Sequence, residues 1–393
     1  MLLGVTGGIA SYKSAWLARL LTQAGAEVDV VLSRAAREFI GAVTFEALTG
    51  RPVHTELIAA GHALDHIKLA RAADVLLVAP ATADFLSRAA AGRADDLLTA
   101  SLLATEAPVL LVPAMNDRMW SHPQTQRNAA HLRDLGYHVL DPDTGELAAG
   151  EGVGPGRMPE PETILAHLGR VLEPRSPLRG RTVVVSAGPT REALDPVRYI
   201  SNRSTGKMGV EVAEAAWRRG AAVTLIAGPL GTRPPVGPAL RSVETAAEMH
   251  AAVAEALATA DVLVMAAAPA DFRPAAIADS KIKKASAPDA VALERTSDIL
   301  LETRSARQPG AVIVGFALET DNVLDNAERK LAAKHLDLIV ANDAREAGAG
   351  FESDTNRVTI IGRDGSKADL PLLGKREVAE AILDRVEGLL GGR

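Results

Sequence analysis

Short apolar runs alternate with stretches of helical period along the whole chain. In the first half the runs are Leu2–Val5, Glu27–Leu32, Asp74–Ala79, Pro108–Val112 and Tyr137–Leu140. They are too short for helices and apolar on successive residues, the pattern of strands buried on both faces. Helical patterns such as Ser14–Ala24 and Asp96–Ala104 lie between them. The alternation predicts a doubly wound parallel sheet with ligands at the C-terminal strand ends. Pro159–Leu172 reads as a closing helix, and Glu173–Gly180 has two prolines and no period, as a linker would. The alternation then restarts. Strands are predicted at Thr182–Ser186, Ala222–Ala227, Asp261–Ala266, Ala311–Ala317 and Leu338–Ala341, and helices at Gly209–Arg219, Ala246–Ala258 and Asp321–His335. The fold class is α/β, with two Rossmann-like doubly wound domains at 1–172 and 181–393 and a linker at 173–180. One stretch echoes between the halves: Ala73–Phe85 aligns without gaps on Ala260–Phe272.

Composition narrows the function. A chain of 393 residues exceeds one ordinary core. A net charge of −6 and a pI near 5.9 argue against a general binder of nucleic acid or membrane surfaces. The chain has no cysteine, which removes disulfides, cysteine–zinc sites and thiol catalysts. Its nine histidines show no metal-binding spacing. The N-terminus turns at Gly7-Gly8 without a basic leader, and no apolar run reaches membrane-spanning length. A cytoplasmic protein is expected.

Candidate chemistry then falls at strand ends. Gly7 and Gly8 lie between a strand and a helix, where they form a tight turn or wrap a phosphate. The spacing is not G-x-G-x-x-G, and a mononucleotide suits it better than a dinucleotide. Ser33 ends the second strand, Ala81 and Thr82 follow the third, and Met115-Asn116 follow the fourth. Asn116 there caps a helix or presents an amide to a ligand. His66 precedes a helical pattern and is structural or catalytic. The loop Ser186–Gly209 carries Arg191, Arg198, Arg203 and Lys207 before a helix start. It reads as a solvated basic turn or as a phosphate-handling loop. Lys281-Ile282-Lys283-Lys284 is a solvated face or a triphosphate neutraliser, and Lys330 and Lys334 share one helix face.

These motifs together carry a resemblance. Gly-Gly-Ile-Ala at 7–10, His-Ile at 66–67, Pro-Ala-Thr-Ala-Asp at 80–84 and Pro-Ala-Met-Asn-x-x-Met-Trp at 113–120 resemble the flavin-dependent cysteine decarboxylases. Ala-Gly-Pro-Thr-Arg-Glu at 187–192, Asp-Pro-Val-Arg-Tyr-Ile-Ser-Asn at 195–202 and Val-Gly-Phe-Ala-x-Glu-Thr at 314–320 resemble phosphopantothenate–cysteine ligases. The whole chain is thus similar to the bacterial bifunctional coenzyme A biosynthesis family. The resemblance implies an N-terminal flavin-binding domain and a C-terminal nucleotide-binding ligase domain. It places Gly7, Gly8, Ser33, Ala81, Thr82 and Met115 at FMN, His66 as base and Asn116 on the substrate carboxylate. It places Met265, Ala266, Ala267, Asp271, Lys281, Ser297, Asp298, Ile299, Leu300, Phe316, Lys330 and Lys334 at CTP, and Asn202 at the activated acyl group. Mg2+ is the implied ion, with no ligand set. The implied substrates are 4′-phosphopantothenate, cysteine and CTP, and the implied assembly is a homo-oligomer, trimers built into a dodecamer.

One position departs from the family. The segment from Leu147 to Met158 resembles its substrate flap, where a cysteine donates the last proton of decarboxylation. Ala149 stands at that cysteine here, and alanine has no proton to give. Either water or another group protonates the product, or the domain no longer completes decarboxylation and the chain acts as a ligase alone. A non-enzymatic flavoprotein regulator is the remaining alternative.

Overall fold

The computed structural model describes residues 1–58, 64–148, 150, 152–173, 176–284, 290–346, 348, 350 and 353–391. The chain divides into two compact units, Met1–Glu173 and Pro174–Arg393. In the first, the order is β1 (Leu2–Val5), α1 (Ser11–Gln23), β2 (Asp29–Leu32), α2 (Ala42–Thr49), β3 (Val53–His54), α3 (Asp65–Ala72), β4 (Leu76–Ala81), α4 (Ala83–Ala90) and α5 (Leu97–Ala104). Then come β5 (Val109–Pro113), α6 (Asp117–Ser121), α7 (Pro123–Asp134), β6 (His138–Val139), β7 (Asp143–Glu146), β8 (Val153–Arg157) and α8 (Pro161–Leu172). Six strands pair in parallel in the order β3-β2-β1-β4-β5-β6. The apolar runs are buried on both faces because helices cover both. Leu3, Val5, Val30 and Leu110 pack with Leu17 on one side, and Leu2, Leu76 and Leu111 with Phe85 and Leu98 on the other. Strand order reverses between β1 and β4, so the crevice opens there.

The second unit begins with β9 (Thr182–Ala187), β10 (Arg191–Ala193), β11 (Tyr199–Ser201), α9 (Lys207–Arg218), β12 (Ala222–Ala227), β13 (Ala239–Ser242), α10 (Ala246–Leu257) and β14 (Val262–Met265). It continues with β15 (Phe272–Pro274), β16 (Leu293–Arg295), α11 (Ile299–Glu302), β17 (Val312–Glu319), α12 (Val323–Ala333) and β18 (Leu338–Asp343). It ends with β19 (Thr355–Asn356), β20 (Thr359–Gly362), β21 (Lys367–Asp369), β22 (Leu373–Gly374) and α13 (Lys375–Gly391). The sheet order is β13-β12-β9-β14-β17-β18-β20-β21. Its first six strands are parallel and repeat the topology of the first unit, while β20 and β21 add an antiparallel hairpin. Among the described residues no helix is long and apolar enough to cross a membrane.

The echoed stretches diverge at one position. Thr82 caps α4 by accepting the Phe85 N–H, and the chain turns into a helix. Pro269 occupies the matching place in the second unit, offers no capping oxygen, and the chain runs into β15 instead.

Candidate functional site

The first crevice lies at the C-terminal ends of β1, β4 and β5. A cavity of about 460 Å³ is lined there by Gly7, Gly8, Thr82, Met115 and Asn116, with Tyr12 and Lys13 from α1. Thr6 ties two of its loops together: its Oγ1 donates to the Pro80 carbonyl at 2.8 Å and accepts the Thr82 N–H at 3.1 Å. Helix α1 starts at Ala10 without a side-chain cap; the Ser11 and Lys13 N–H groups donate to the Gly8 and Ala10 carbonyls, and the positive end of the helix lies at the cavity. Gly7 is fixed by space, since a Cβ there would lie 2.4 Å from the Ala35 Cβ and 2.8 Å from the Ala35 carbonyl carbon. Gly7→Ala therefore shifts the turn beneath the cavity. The expected result is loss of bound flavin, read as the flavin-to-protein absorbance ratio, with the second unit's activity unchanged.

Two residues assigned to FMN are not on this lining. Ser33 is buried and its Oγ accepts the Ala36 N–H at 3.2 Å, and Ala81 is fully buried within the strand. Asn116 is both a cap and a cavity residue. Its Oδ1 accepts the Arg118 N–H at 2.9 Å, which leaves the amide nitrogen for a ligand.

A roof crosses this cavity. β7 and β8 form an antiparallel hairpin that brings Glu146, Leu147 and Arg157 to the lining. The hairpin is anchored where the Met115 N–H donates to the Gly156 carbonyl at 3.0 Å. Gly156 has φ of +144°, and a Cβ there would meet the Met115 oxygen at 2.2 Å, so only glycine permits the approach. Ala149 lies outside the described residues. Lys13 holds the base of the roof. It is buried, and its Nζ donates to the Met158 carbonyl at 2.7 Å and to Glu160 at 3.0 Å. Burial raises the Glu160 carboxyl, but the hydrogen bond and charge of Lys13 and the charge of Arg157 outweigh it and hold the group below its ordinary range. The sequence signal for Lys13 is its place four residues before Leu17, on the apolar face of α1.

His66 is elsewhere. It lines a second cavity of about 480 Å³ with Leu57, Ile58, Ala100 and Leu103, none of which borders the first. Its Nδ1 is buried with no hydrogen-bond partner among the described residues. Ile58 and Leu103 beside it are 87% and 59% exposed. Within one chain, His66 and Asn116 are not brought together.

The second unit carries its crevice at the ends of β9, β14, β17 and β18. One cavity, of about 480 Å³, is lined by every residue assigned to CTP except Ala266 and Lys281. An adjoining cavity of about 340 Å³ takes in Ala266 and Asn202, and shares Ala267, Asp271, Phe316 and Lys330 with the first. Lys330 pairs with Glu319 at 2.6 Å and Lys334 with Asp298 at 2.9 Å, so both cations meet carboxylates before any nucleotide arrives. Asp298 also caps α11 through the Leu301 N–H. Gly209 lets α9 settle on the end of β9, where a Cβ would lie 2.6 Å from the Ser186 carbonyl oxygen.

Asn202 has its amide nitrogen committed. Nδ2 donates to the carbonyls of Ala268 at 3.1 Å and Pro269 at 3.0 Å, which leaves Oδ1 as an acceptor. Asn202 thus joins the β11 loop to the β14 loop. Lys281 is exposed and borders neither cavity. Its segment is fastened at Ile282, whose N–H donates to Asp195 at 3.1 Å and whose carbonyl accepts from Arg198 at 2.8 Å. The Arg198 guanidinium holds the Asp195 carboxyl far below its ordinary range; burial opposes this, and the N–H groups of Val197, Ile282 and Arg198 reinforce it. No cluster of three or more metal-ligating side chains occurs among the described residues.

Fold and crevices define a class: two doubly wound α/β domains in one chain, each with a crevice at the C-terminal ends of its strands. Residues 1–172 match the family model described as Flavoprotein, and residues 178–389 that described as the DNA/pantothenate metabolism flavoprotein C-terminal domain. The Coenzyme A biosynthesis bifunctional protein CoaBC of Vibrio vulnificus (strain YJ016) is 45% identical over 395 aligned residues, covering 100% of this chain and 98% of the relative. That of Bacillus subtilis (strain 168) is 45% identical, covering 99% and 97%. A crystal structure of the C-terminal domain of a coenzyme A biosynthesis bifunctional protein CoaBC is 38% identical, covering 56% of this chain and 100% of that one, with a TM-score of 0.48. The chain belongs to the coenzyme A biosynthesis bifunctional protein family, and its N-terminal half is a flavoprotein domain.

Proposed function

We propose that this bifunctional enzyme carries its phosphopantothenate–cysteine ligase activity in the crevice of the second unit and its phosphopantothenoylcysteine decarboxylase activity in the crevice of the first. Ligation comes first. The carboxylate of 4′-phosphopantothenate attacks the α-phosphate of CTP, pyrophosphate leaves, and an acyl-cytidylate forms. The amine of cysteine then attacks the acyl carbon, the amide forms, CMP leaves, and the amine loses a proton to solvent. Lys330 and Lys334 exchange Glu319 and Asp298 for triphosphate oxygens and hold the charge that builds there. Mg2+ would enter with the triphosphate and neutralise charge there, and Asp271, the carboxylate common to both cavities, would be available to hold it. The Asn202 Oδ1 accepts from the hydroxyl or amide N–H of the acyl chain and so places the activated carbonyl. The observation that carries the reading is that the CTP-assigned residues other than Lys281 line one crevice continuous with Asn202.

Decarboxylation follows, in the cytoplasm as ligation does, and yields 4′-phosphopantetheine. FMN fits the first crevice: the uncapped start of α1, the Gly7-Gly8 turn and Thr82 would hold its phosphate, and Met115 would border the ring. When bound, FMN would take up the two electrons of thiol oxidation, the sink that lets the carboxylate leave, and would return them as the resulting enethiol is reduced to the saturated thiol. The Asn116 amide nitrogen grips the substrate carboxylate until CO₂ departs. His66 acts as base at the crevice of a second copy in a homo-oligomer, built as trimers within a dodecamer. Its separation from Asn116 within one chain and its exposed apolar surround support this placement.

The test supplies phosphopantothenate, cysteine and CTP and follows pyrophosphate and CO₂. Pyrophosphate with the conjugate accumulating, and no more than one CO₂ per flavin, selects the second reading, a ligase whose flavin domain is impaired at Ala149. The shared centre has its own test. His66→Asn and Asn116→Asp each lose CO₂ release by about a hundredfold or more while retaining flavin, on the usual scale for a positioned proton-transfer group. Protein co-assembled from the two variants regains a measurable fraction, because some interfaces then carry both intact groups. No recovery on mixing removes His66 from a shared centre.

A further inference from the structure

The smaller ligase cavity has a wall that none of the motifs covers. β19 pairs with β22 so that Asn356 lies opposite Leu373, and α13 begins two residues later at Lys375. Both side chains reach the cavity lined by Asn202, Gly206 and Lys207. Asn356 is 4% exposed, and its Oδ1 is buried without a partner. A buried amide left unpaired is costly unless a ligand pairs it. Turning the amide half a revolution presents its N–H₂ at the same point.

The charges beside it point to an anion. The Lys375 ammonium is buried and donates to the Gly350 carbonyl at 2.9 Å. Burial pushes its pKa down, and the charge of Lys207 pushes it further. Lys207 pairs with Asp354 at 2.6 Å, but that carboxylate is 88% exposed and readily displaced. Glu211 acts on Lys375, and its carboxyl is raised, first by burial and then by Glu214. The twelve-residue α9 starts here at Gly206 in the left-handed region, without a side-chain cap. Two ammonium groups, an unpaired amide and an uncapped helix start match a dianionic phosphate better than a single carboxylate.

We infer that Asn356 and Lys375, with Lys207 and the first turn of α9, form a phosphate-binding subsite of the ligase centre. Its ligand is either the 4′-phosphate of the acyl substrate or the outer phosphates of the nucleotide, and the inference rests on the ligase reading above.

The test uses the full chain, with Lys375→Gln, Lys375→Arg and Asn356→Ala. Titration calorimetry with inorganic pyrophosphate and with phosphopantothenate measures the subsite without turnover. At least tenfold weaker binding of one probe to Lys375→Gln is expected, with Lys375→Arg within about threefold of the parent. Asn356→Ala removes no charge and gives a smaller loss, about fivefold, in the same constant. Kinetics identify the source. A rise in KM for CTP alone assigns the nucleotide phosphates. A rise for phosphopantothenate alone, with weaker discrimination against unphosphorylated pantothenate, assigns the 4′-phosphate. Equal binding of both probes by parent and Lys375→Gln, with both KM values within twofold, overturns the subsite. If the parent makes no pyrophosphate from CTP, the ligase reading falls, while the calorimetry still judges the subsite.

Discussion

Asn202→Asp lowers ligase turnover by about a thousandfold, roughly 4 kcal/mol in the barrier. The size follows from the partners. The Asn202 amide nitrogen donates to two carbonyl oxygens, those of Ala268 and Pro269, at 3.1 and 3.0 Å. A carboxylate oxygen in its place has no hydrogen to donate and meets two oxygens within contact distance. The side chain must swing away or push back the loop that carries Ala266 and Ala267. It also brings a negative charge to a crevice that must gather a carboxylate and a triphosphate, and misplaced charge at such a centre costs about 10²–10³ in rate. Asn202→Ala keeps the charge balance and loses less, about thirtyfold to a hundredfold. Pyrophosphate release measures both, and flavin content stays at the parent level because the first unit is untouched. An Asp variant within tenfold of the parent would remove Asn202 from the mechanism.

The repeating layout was legible because buried parallel strands need unbroken apolar runs. Leu2–Val5 and Ala222–Ala227 form over the predicted residues, and the other runs shift at their ends by a residue or two. The small hairpins carry no such signal. β7 reads Asp-Thr-Gly-Glu and is mostly exposed, so neither alternation nor burial marks it. The echoed stretch shows where local chemistry decides: the strands match, but threonine at 82 starts a helix and proline at 269 cannot cap one. Site residues were legible where they sit in motifs at strand ends. Lys13, Asn356 and Lys375 are set by packing between segments far apart in the chain, and their types alone do not announce burial. Distances also redefine roles. Asn202 and Asn116 were expected as amides facing a substrate, but one has its nitrogen committed and the other its oxygen. The two asparagines thus offer opposite polarity to their ligands.

Ala149→Cys raises the rate of phosphopantetheine formation from supplied phosphopantothenoylcysteine by about a hundredfold, within the range that a positioned proton donor contributes. The argument starts from what the neighbouring residues already provide. In the proposed mechanism the Asn116 amide nitrogen and His66 serve the steps up to loss of CO₂, before a donor at position 149 is needed. The last step returns a proton to carbon, and the β7–β8 roof lines the cavity in which the proposed mechanism places the substrate. Leu147 and Ala148 line the cavity, and the family resemblance assigns the proton donor to the position that follows them in the chain. Alanine leaves protonation to water, which the roof itself partly excludes. A thiol ionises near pH 8.5 and is protonated at neutrality, so it can donate and be reprotonated each turn. The substitution therefore separates two rates. CO₂ release in a single turnover stays within about twofold of the parent, while saturated product appears much faster. One CO₂ per flavin without saturated product marks the parent as stalled at protonation. Equal product rates in parent and variant show that another group already donates the proton, and Ala149 then has no bearing on turnover.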